Sequence, residues 1–284
     1  MKRSFFLSLI LLVVLAIPAR AGRVVTDSLY SKLLGEHVKY NVYLPSGFEQ
    51  GDRHYPVTYL LHGLSGCYSD WERLGHVRLV ADELIESGEA LPMVIIMPNA
   101  GDKDIRQVQN GYFNVEDWAY EDFFFTELMP AVEAKYRAGG SKGQRAVMGL
   151  SMGGGGSTVY CQRHPELFSS CYAMSAWLDN KDGEVGGSNP VRDKLAIVSE
   201  SVCEHSALDF IDRADEATVE QLRTVKWFFD CGDDDGLLPL STELHWKMRS
   251  KRIKSELRVR NGVHNWEYWR LALRLALPFA SRNF

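Results

Sequence analysis

The sequence predicts an α/β fold with a mostly parallel central sheet and helices on both faces. Three observations carry this. Short apolar runs rich in β-branched and aromatic residues alternate with segments of helical period through most of the chain. Gly and Pro punctuate the ends of those runs. The 284 residues, 45% hydrophobic and 24% charged, allow a large core without metal or disulfide staples.

The elements follow in order. Lys2 and Arg3 precede an apolar run from Phe5 to Ile17, and Ala19-Arg20-Ala21 offers small residues at a cleavage site. Residues 1–21 therefore read as a signal peptide, because the run is short of the about 20 residues a membrane span needs. No Cys stands directly after it, so a lipoprotein anchor is not indicated. The expected product is an exported chain, periplasmic or secreted, with residues 22–284 as a single domain and no stable membrane association. From Val24 to Leu44 the pattern alternates, as in paired antiparallel strands, and Pro45-Ser46-Gly47 turns the chain. Tyr55 to Leu61 is a buried strand running into His62-Gly63. Trp71 to Ser87 has helical spacing, with Asp70 placed as its cap. Met93 to Met97 is a second buried strand, stopped by Pro98.

Tyr120 to Tyr136 reads as one helix with acidic residues early and Lys135 and Arg137 late, which suits its dipole. Gln144 to Leu150 is a strand that enters Ser151, and Met152 to His164 is helical despite its glycines. Strands follow at Cys171 to Met174, Val225 to Asp230 and Glu256 to Arg260, with helices at Glu243 to Lys251 and Trp266 to Ala280. The polar segment from Asp179 to Thr224 interrupts this rhythm. It reads either as a surface excursion with one or two short helices or as a cap insertion that shapes a substrate pocket.

The net charge is -5, and Lys and Arg are scattered along the sequence, so neither nucleic acid nor another polyanion is an expected partner. Cys67, Cys161, Cys171, Cys203 and Cys231 lack metal-site spacing, and no metal or cofactor is expected. Cys161 and Cys171 either bridge or are buried as small apolar residues.

The chemistry centres on Gly149-Leu150-Ser151-Met152-Gly153. A serine hydroxyl is a poor nucleophile unless held exposed beside a base, and a G-x-S-x-G turn between strand and helix does this. His264 follows a strand and the Gly262 turn and precedes the last helix, at the sheet edge toward which Ser151 points. Asp233, Asp234 and Asp235 follow another strand at that edge, in the order serine, acid, histidine. Spacing alone leaves all three open as the acid. The backbone N–H groups of Met152 and Leu64 are the candidate oxyanion donors. Trp71, Trp177 and Phe113 are candidates for an aromatic acyl pocket.

The chain resembles the esterase D-like branch of the α/β-hydrolase superfamily, with its feruloyl esterases, S-formylglutathione hydrolases and mycolyltransferases. The matching pieces include Tyr59-Leu60-Leu61-His62-Gly63, Trp71, Pro98-Asn99, Glu121-Asp122-Phe123, Leu128-Met129-Pro130 and Tyr136-Arg137. The match continues through Gly149 to Gly154, Cys231-Gly232 and His264-Asn265-Trp266. The resemblance implies an α/β-hydrolase fold and a triad of Ser151, His264 and Asp235, the acid standing four residues after the Cys of the Cys-Gly pair. It places the oxyanion donors at Leu64 and Met152. Gly236 departs from the aromatic residue often found after the acid. The implied function is a serine carboxylic ester hydrolase acting on feruloyl or acetyl esters of carbohydrate. The alternatives are a mycolyltransferase-like acyltransferase, a thioesterase like S-formylglutathione hydrolase, and a binding protein on an inactive scaffold.

Overall fold

The computed structural model describes residues 21–101, 110–180 and 194–284. The predicted signal peptide lies almost wholly outside them, as does the most polar part of the 179–224 segment. An eight-stranded sheet forms the centre. In chain order its strands are β1 (Arg23–Tyr30), β2 (His37–Leu44), β3 (Val57–Leu61) and β4 (Val94–Pro98), while a small hairpin supplies β5 (Asn114–Val115) and β6 (Trp118–Ala119). The sheet continues with β7 (Arg145–Leu150), β8 (Ser170–Met174), β9 (Lys226–Gly232) and β10 (Ser255–Arg260). The spatial order is β1-β2-β4-β3-β7-β8-β9-β10. Only β2 runs against its neighbours, and every pairing from β4 to β10 is parallel.

The helices are α1 (Asp70–Arg73), α2 (Val77–Glu86), α3 (Tyr120–Phe123), α4 (Met129–Lys135), α5 (Met152–Arg163), α6 (Lys194–Glu204), α7 (Ala207–Arg213), α8 (Glu216–Leu222), α9 (Leu238–Ser250) and α10 (Trp266–Ser281). Because alternate strand residues face opposite sides of a sheet, Val57, Tyr59 and Leu61 of β3 enter one core while Leu60 enters the other. The second core packs α2 and α10 on one face, and the first packs α5, α7 and α9 on the other. Both faces are covered, which is why the central strands read as unbroken apolar runs.

Three predicted elements differ. The helix expected over Trp71 to Ser87 is split at Leu74-Gly75-His76, with His76 at φ 54°. A Cβ on Gly75 would sit 2.6 Å from the Trp71 ring, so the chain needs glycine where it leaves the helix. Asp70 does not cap it: its carboxylate accepts the Cys67 N–H at 3.1 Å and pairs with Arg73. The helix over Tyr120 to Tyr136 carries a π turn at Phe124–Leu128. Pro130, just beyond it, has no N–H for the carbonyl of Thr126. Three helices, not one or two, occupy the described part of the 179–224 segment. Ser206 and Asp215 cap α7 and α8 through the N–H groups of Asp209 and Thr218, a signal that local polarity masks. All five cysteines are free thiols; Cys161 and Cys171 are fully buried and Cys203 is exposed.

Two buried polar groups lock the C-terminal edge of the sheet. Asp230 of β9 is fully buried and accepts hydrogen bonds from Tyr172 and Tyr268, each at 2.5 Å, and from Arg260 at 3.0 Å. It thereby joins β8, β9, β10 and α10. His62, at the end of β3, donates through Nδ1–H to the Gly63 carbonyl at 2.8 Å and accepts the Ala100 N–H at Nε2 at 3.0 Å. Its carbonyl in turn accepts the Tyr112 hydroxyl.

Asp230→Ala would strand Arg260 and both tyrosyl hydroxyls, so a loss of about 3 kcal/mol is expected in urea denaturation, as for other broken buried pairs. Burial pushes His62 down to about 4, against the pull of its bond to Gly63 and the charge of Asp70. A histidine in the unfolded chain titrates near ~6.5, so between ~6.5 and ~4 the unfolded chain takes up a proton that the fold does not. Stability is therefore full above that window and declines by about 3 kcal/mol as pH falls through it. His62→Gln should flatten this portion of the pH–stability profile.

Candidate active site

Strand β7 ends on Ser151, whose backbone adopts φ 54° and ψ -118°. Such a conformation costs a non-glycine residue on the order of 1–3 kcal/mol and persists only where its surroundings enforce it. Here they do. The Ser151 N–H donates to the Met174 carbonyl at 2.8 Å, and its own carbonyl accepts the N–H groups of Gly155 and Trp177 at 3.0 and 2.9 Å. The flanking glycines are a packing requirement. A Cβ on Gly149 would lie 2.4 Å from the Gly153 carbonyl oxygen, and one on Gly153 would lie 2.5 Å from that of His62. The turn thus lifts the hydroxyl out at the C-terminal edge of the sheet.

The imidazole of His264 stands between two partners. Its Nε2 lies 3.0 Å from Ser151 Oγ, and its Nδ1 lies 2.8 Å from Asp235 Oδ2. His264 sits on the loop between β10 and α10, just ahead of Asn265, which caps that helix through the Tyr268 N–H. Its side chain is 37% exposed, whereas the Asp235 side chain is 1% exposed. Asp235 Oδ1 accepts the Leu237 N–H at 2.9 Å. Burial works to raise the Asp235 carboxyl, but hydrogen bonds from His264, the Leu237 amide and Ser175 outweigh it and hold it below the ordinary carboxylate range. Of the three adjacent aspartates, Asp235 alone faces the imidazole. Asp233 and Asp234 are exposed and tie the acid loop to the histidine loop: Asp233 Oδ1 accepts the Gly262 N–H at 2.9 Å, and the Asp234 N–H donates to the Gly262 carbonyl.

Two residues that sequence reasoning missed buttress this pair. Trp269 presents its ring edge-on to His264, with centroids 4.9 Å apart and planes at 90°. Its indole N–H donates to Ser175 Oγ at 3.0 Å. Ser175 is wholly buried, follows β8 directly, and has its N–H on the Asp230 carbonyl. Since an indole N–H only donates, the Ser175 hydroxyl keeps its own proton, with the Asp235 carboxylate and the Cys231 thiol both beside it. A discernible signal existed: Ser175 directly follows the strand beside the one that enters Ser151, and Trp269 lies five residues past His264.

A cavity of about 430 Å³ opens on Ser151 and His264, lined by Leu64, Asp70, Leu74, Trp266 and Trp269 among others. Leu64 is 38% exposed at its rim, and Met152 begins α5, where N–H groups have no intrahelical acceptor. Gly63 brings the Leu64 loop against Ser151, a Cβ there lying 3.3 Å from Ser151 Cβ. Trp71 does not reach this cavity. It is fully buried, donates its indole N–H to the Leu61 carbonyl, and packs edge-on against Trp266, which takes the wall position instead. Phe113 is likewise core, stacked on His205. Trp177 is half-buried, and its clear contribution is the backbone bond to Ser151. Among the described residues no cluster of His, Cys, Asp and Glu is arranged to hold a metal ion, and no helix is long and apolar enough to cross a membrane.

With this geometry in view, likeness to known proteins is informative. The family described as "Putative esterase" matches residues 31–280. The endo-1,4-beta-xylanase/feruloyl esterase of Xylanibacter ruminicola is 30% identical over 151 residues, which are 52% of this chain and 20% of that protein. Esterase Rv1288 of Mycobacterium tuberculosis is 29% identical over 143 residues, 50% of this chain and 30% of that protein. The chain thus spans less than a third of the length of these curated relatives. Among solved structures, a ferulic acid esterase superposes with a TM-score of 0.88 at 45% identity, covering 93% of this chain and 98% of that one. A ferulic acid esterase of Anaeromyces mucronatus in complex with ferulic acid shares the fold, with a TM-score of 0.69 at 19% identity over 94% of each chain. The chain belongs to this family of carboxylic ester hydrolases and has its α/β-hydrolase fold.

Proposed function

We propose that the chain cleaves esters through a serine acyl-enzyme, with Ser151 as nucleophile, His264 as general base and then acid, and Asp235 as the residue that orients it. The observation that carries this reading is the unbroken chain Ser151 Oγ, His264, Asp235, with links of 3.0 and 2.8 Å. As Ser151 Oγ attacks the ester carbonyl carbon, its proton passes to His264 Nε2, and the carbonyl π pair moves to oxygen. Asp235, kept ionised, holds the Nδ1–H tautomer and stabilises the imidazolium. The N–H groups of Met152 and Leu64 are the donors we assign to the oxyanion, a contribution on the order of 10²–10³ in rate for each. Collapse expels the alcohol, protonated by His264. Water then repeats the sequence on the acyl-enzyme, with the half-exposed imidazole as its base.

For the substrate we propose a feruloyl or acetyl ester borne on carbohydrate. The ferulic acid esterase at 45% identity supports the acyl group, and the xylanase/feruloyl esterase relative supports the carbohydrate alcohol. The aromatic walls offered by Trp266 and Trp269 suit a planar acyl chain. Export, with the first 21 residues as its signal, is the compartment consistent with such a substrate.

Ser151→Ala should abolish both methyl ferulate hydrolysis and fluorophosphonate labelling while the protein stays folded; activity near wild type would remove the nucleophile. Asp235→Asn should cost about 10⁴ in kcat, with Asp234→Asn close to wild type. Ser175 is a positioning residue. Ser175→Ala should lower kcat about tenfold, the worth of one hydrogen bond to a charged group, with KM unchanged.

A further inference from the structure

At the opposite end of the sheet from Ser151 lies a larger cleft, of about 760 Å³, beneath the first residues of β9 and β10. Its lining comes from segments far apart in sequence: Arg223 to Trp227, Arg249 to Glu256, and Phe279 to Asn283. Six basic side chains face it, Arg223, Lys226, Arg249, Arg252, Lys254 and Arg282, against the single carboxylate of Glu256. The chain as a whole has 32 basic and 37 acidic residues, so this concentration runs against its overall charge. These six are dispersed along the sequence and gathered by the fold.

The charges are largely uncommitted. Arg223 is paired with Glu216 and Glu220, but Lys226, Arg249, Arg252, Lys254 and Arg282 form no ion pair among the described residues. Their field is felt nearby. His245, bonded to Ser255 at the cleft wall, is pushed below its ordinary value first by burial and then by the Arg249 charge. The floor is apolar, made by Val225, Ile253 and the buried edges of Trp227 and Phe279. A concave site with an apolar floor and convergent cations is the form that holds an organic anion. Arginine forks match planar carboxylates in particular. Neither aromatic ring is exposed, at 2% and 5%, so the stacking platform that single-stranded nucleic acid uses is missing.

We propose that this cleft binds an acidic polysaccharide, through the carboxylates of its uronic-acid units, and anchors the enzyme on the polymer that carries its ester. The polymer part of this assignment rests on the carbohydrate-ester reading above. Binding at one end of the sheet while the other end works raises the local concentration of ester without a new contact at the active site.

The test is affinity electrophoresis of the full chain in gels containing polygalacturonate or neutral arabinoxylan, with methyl ferulate hydrolysis followed separately. Retardation is expected only with polygalacturonate, and it should fade as salt rises. The triple variant Arg249→Glu, Arg252→Glu, Lys254→Glu should lose at least about tenfold in affinity and keep wild-type hydrolysis. Binding should also move the His245 imidazole resonances toward a higher titration point, because the anion offsets Arg249. Absence of retardation overturns the proposal, as does equal retardation by the neutral polymer or an unaffected triple variant. Tighter binding of duplex DNA or of inorganic phosphate than of polygalacturonate would overturn it in favour of those ligands. Failure of methyl ferulate hydrolysis with retardation intact would refute the feruloyl reading and leave the anion site standing.

Discussion

The amide and carbonyl of Ser151 are both held by neighbouring backbone, and the working end of the molecule depends on that clamp. A positive φ at a serine is unfavourable, and three backbone hydrogen bonds, to Met174, Gly155 and Trp177, maintain it. Two of the partners exist because β8 lies beside β7 and its chain turns back over Ser151. The third belongs to the first turn of α5. Sheet order, not local propensity, therefore sets the serine's direction. The glycines on either side allow β3 and α5 to close in to the distances this requires.

His264 and Asp235 are presented by loops that leave β10 and β9, and they are fixed from below by a different kind of interaction. Asp230, buried under those loops, binds Arg260, Tyr172 and Tyr268, so the ends of three strands and the start of α10 share one carboxylate. From above, Trp269 contacts His264 directly and donates its indole N–H to the buried Ser175. The imidazole of His264 is thus held on its protein side by Trp269 and Asp235 and open to solvent on the other.

Much of this was legible in the chain. The strand runs into Ser151, Asp235 and His264 are apolar or punctuated enough to be seen, and the turn pattern around Ser151 has one physical meaning. The Asp233-Asp234-Asp235 run was ambiguous because spacing does not encode which carboxylate a turn buries; the fold buries the third. Trp71 was misread because an aromatic near a motif looks the same whether it faces a ligand or a core, and its partner Trp266 holds the exposed position. The break at Gly75 and the π turn before Pro130 depend on contacts that local period does not report. The gathering of basic residues under β9 and β10 needed the topology, since the contributing segments are separated by whole helices.

Strand β10 closes the sheet on one side, with no strand beyond it among the described residues. Its sequence, Ser-Glu-Leu-Arg-Val-Arg, sets charged side chains along a free row of amides and carbonyls, which discourages another molecule from adding a strand there. The same strand must also keep its register. Arg260 lies opposite Gly232, and sliding by a single residue would turn its guanidinium to the other face of the sheet, away from Asp230. One arginine thus acts as a ratchet pin, and the loop bearing His264 inherits its position from that pin.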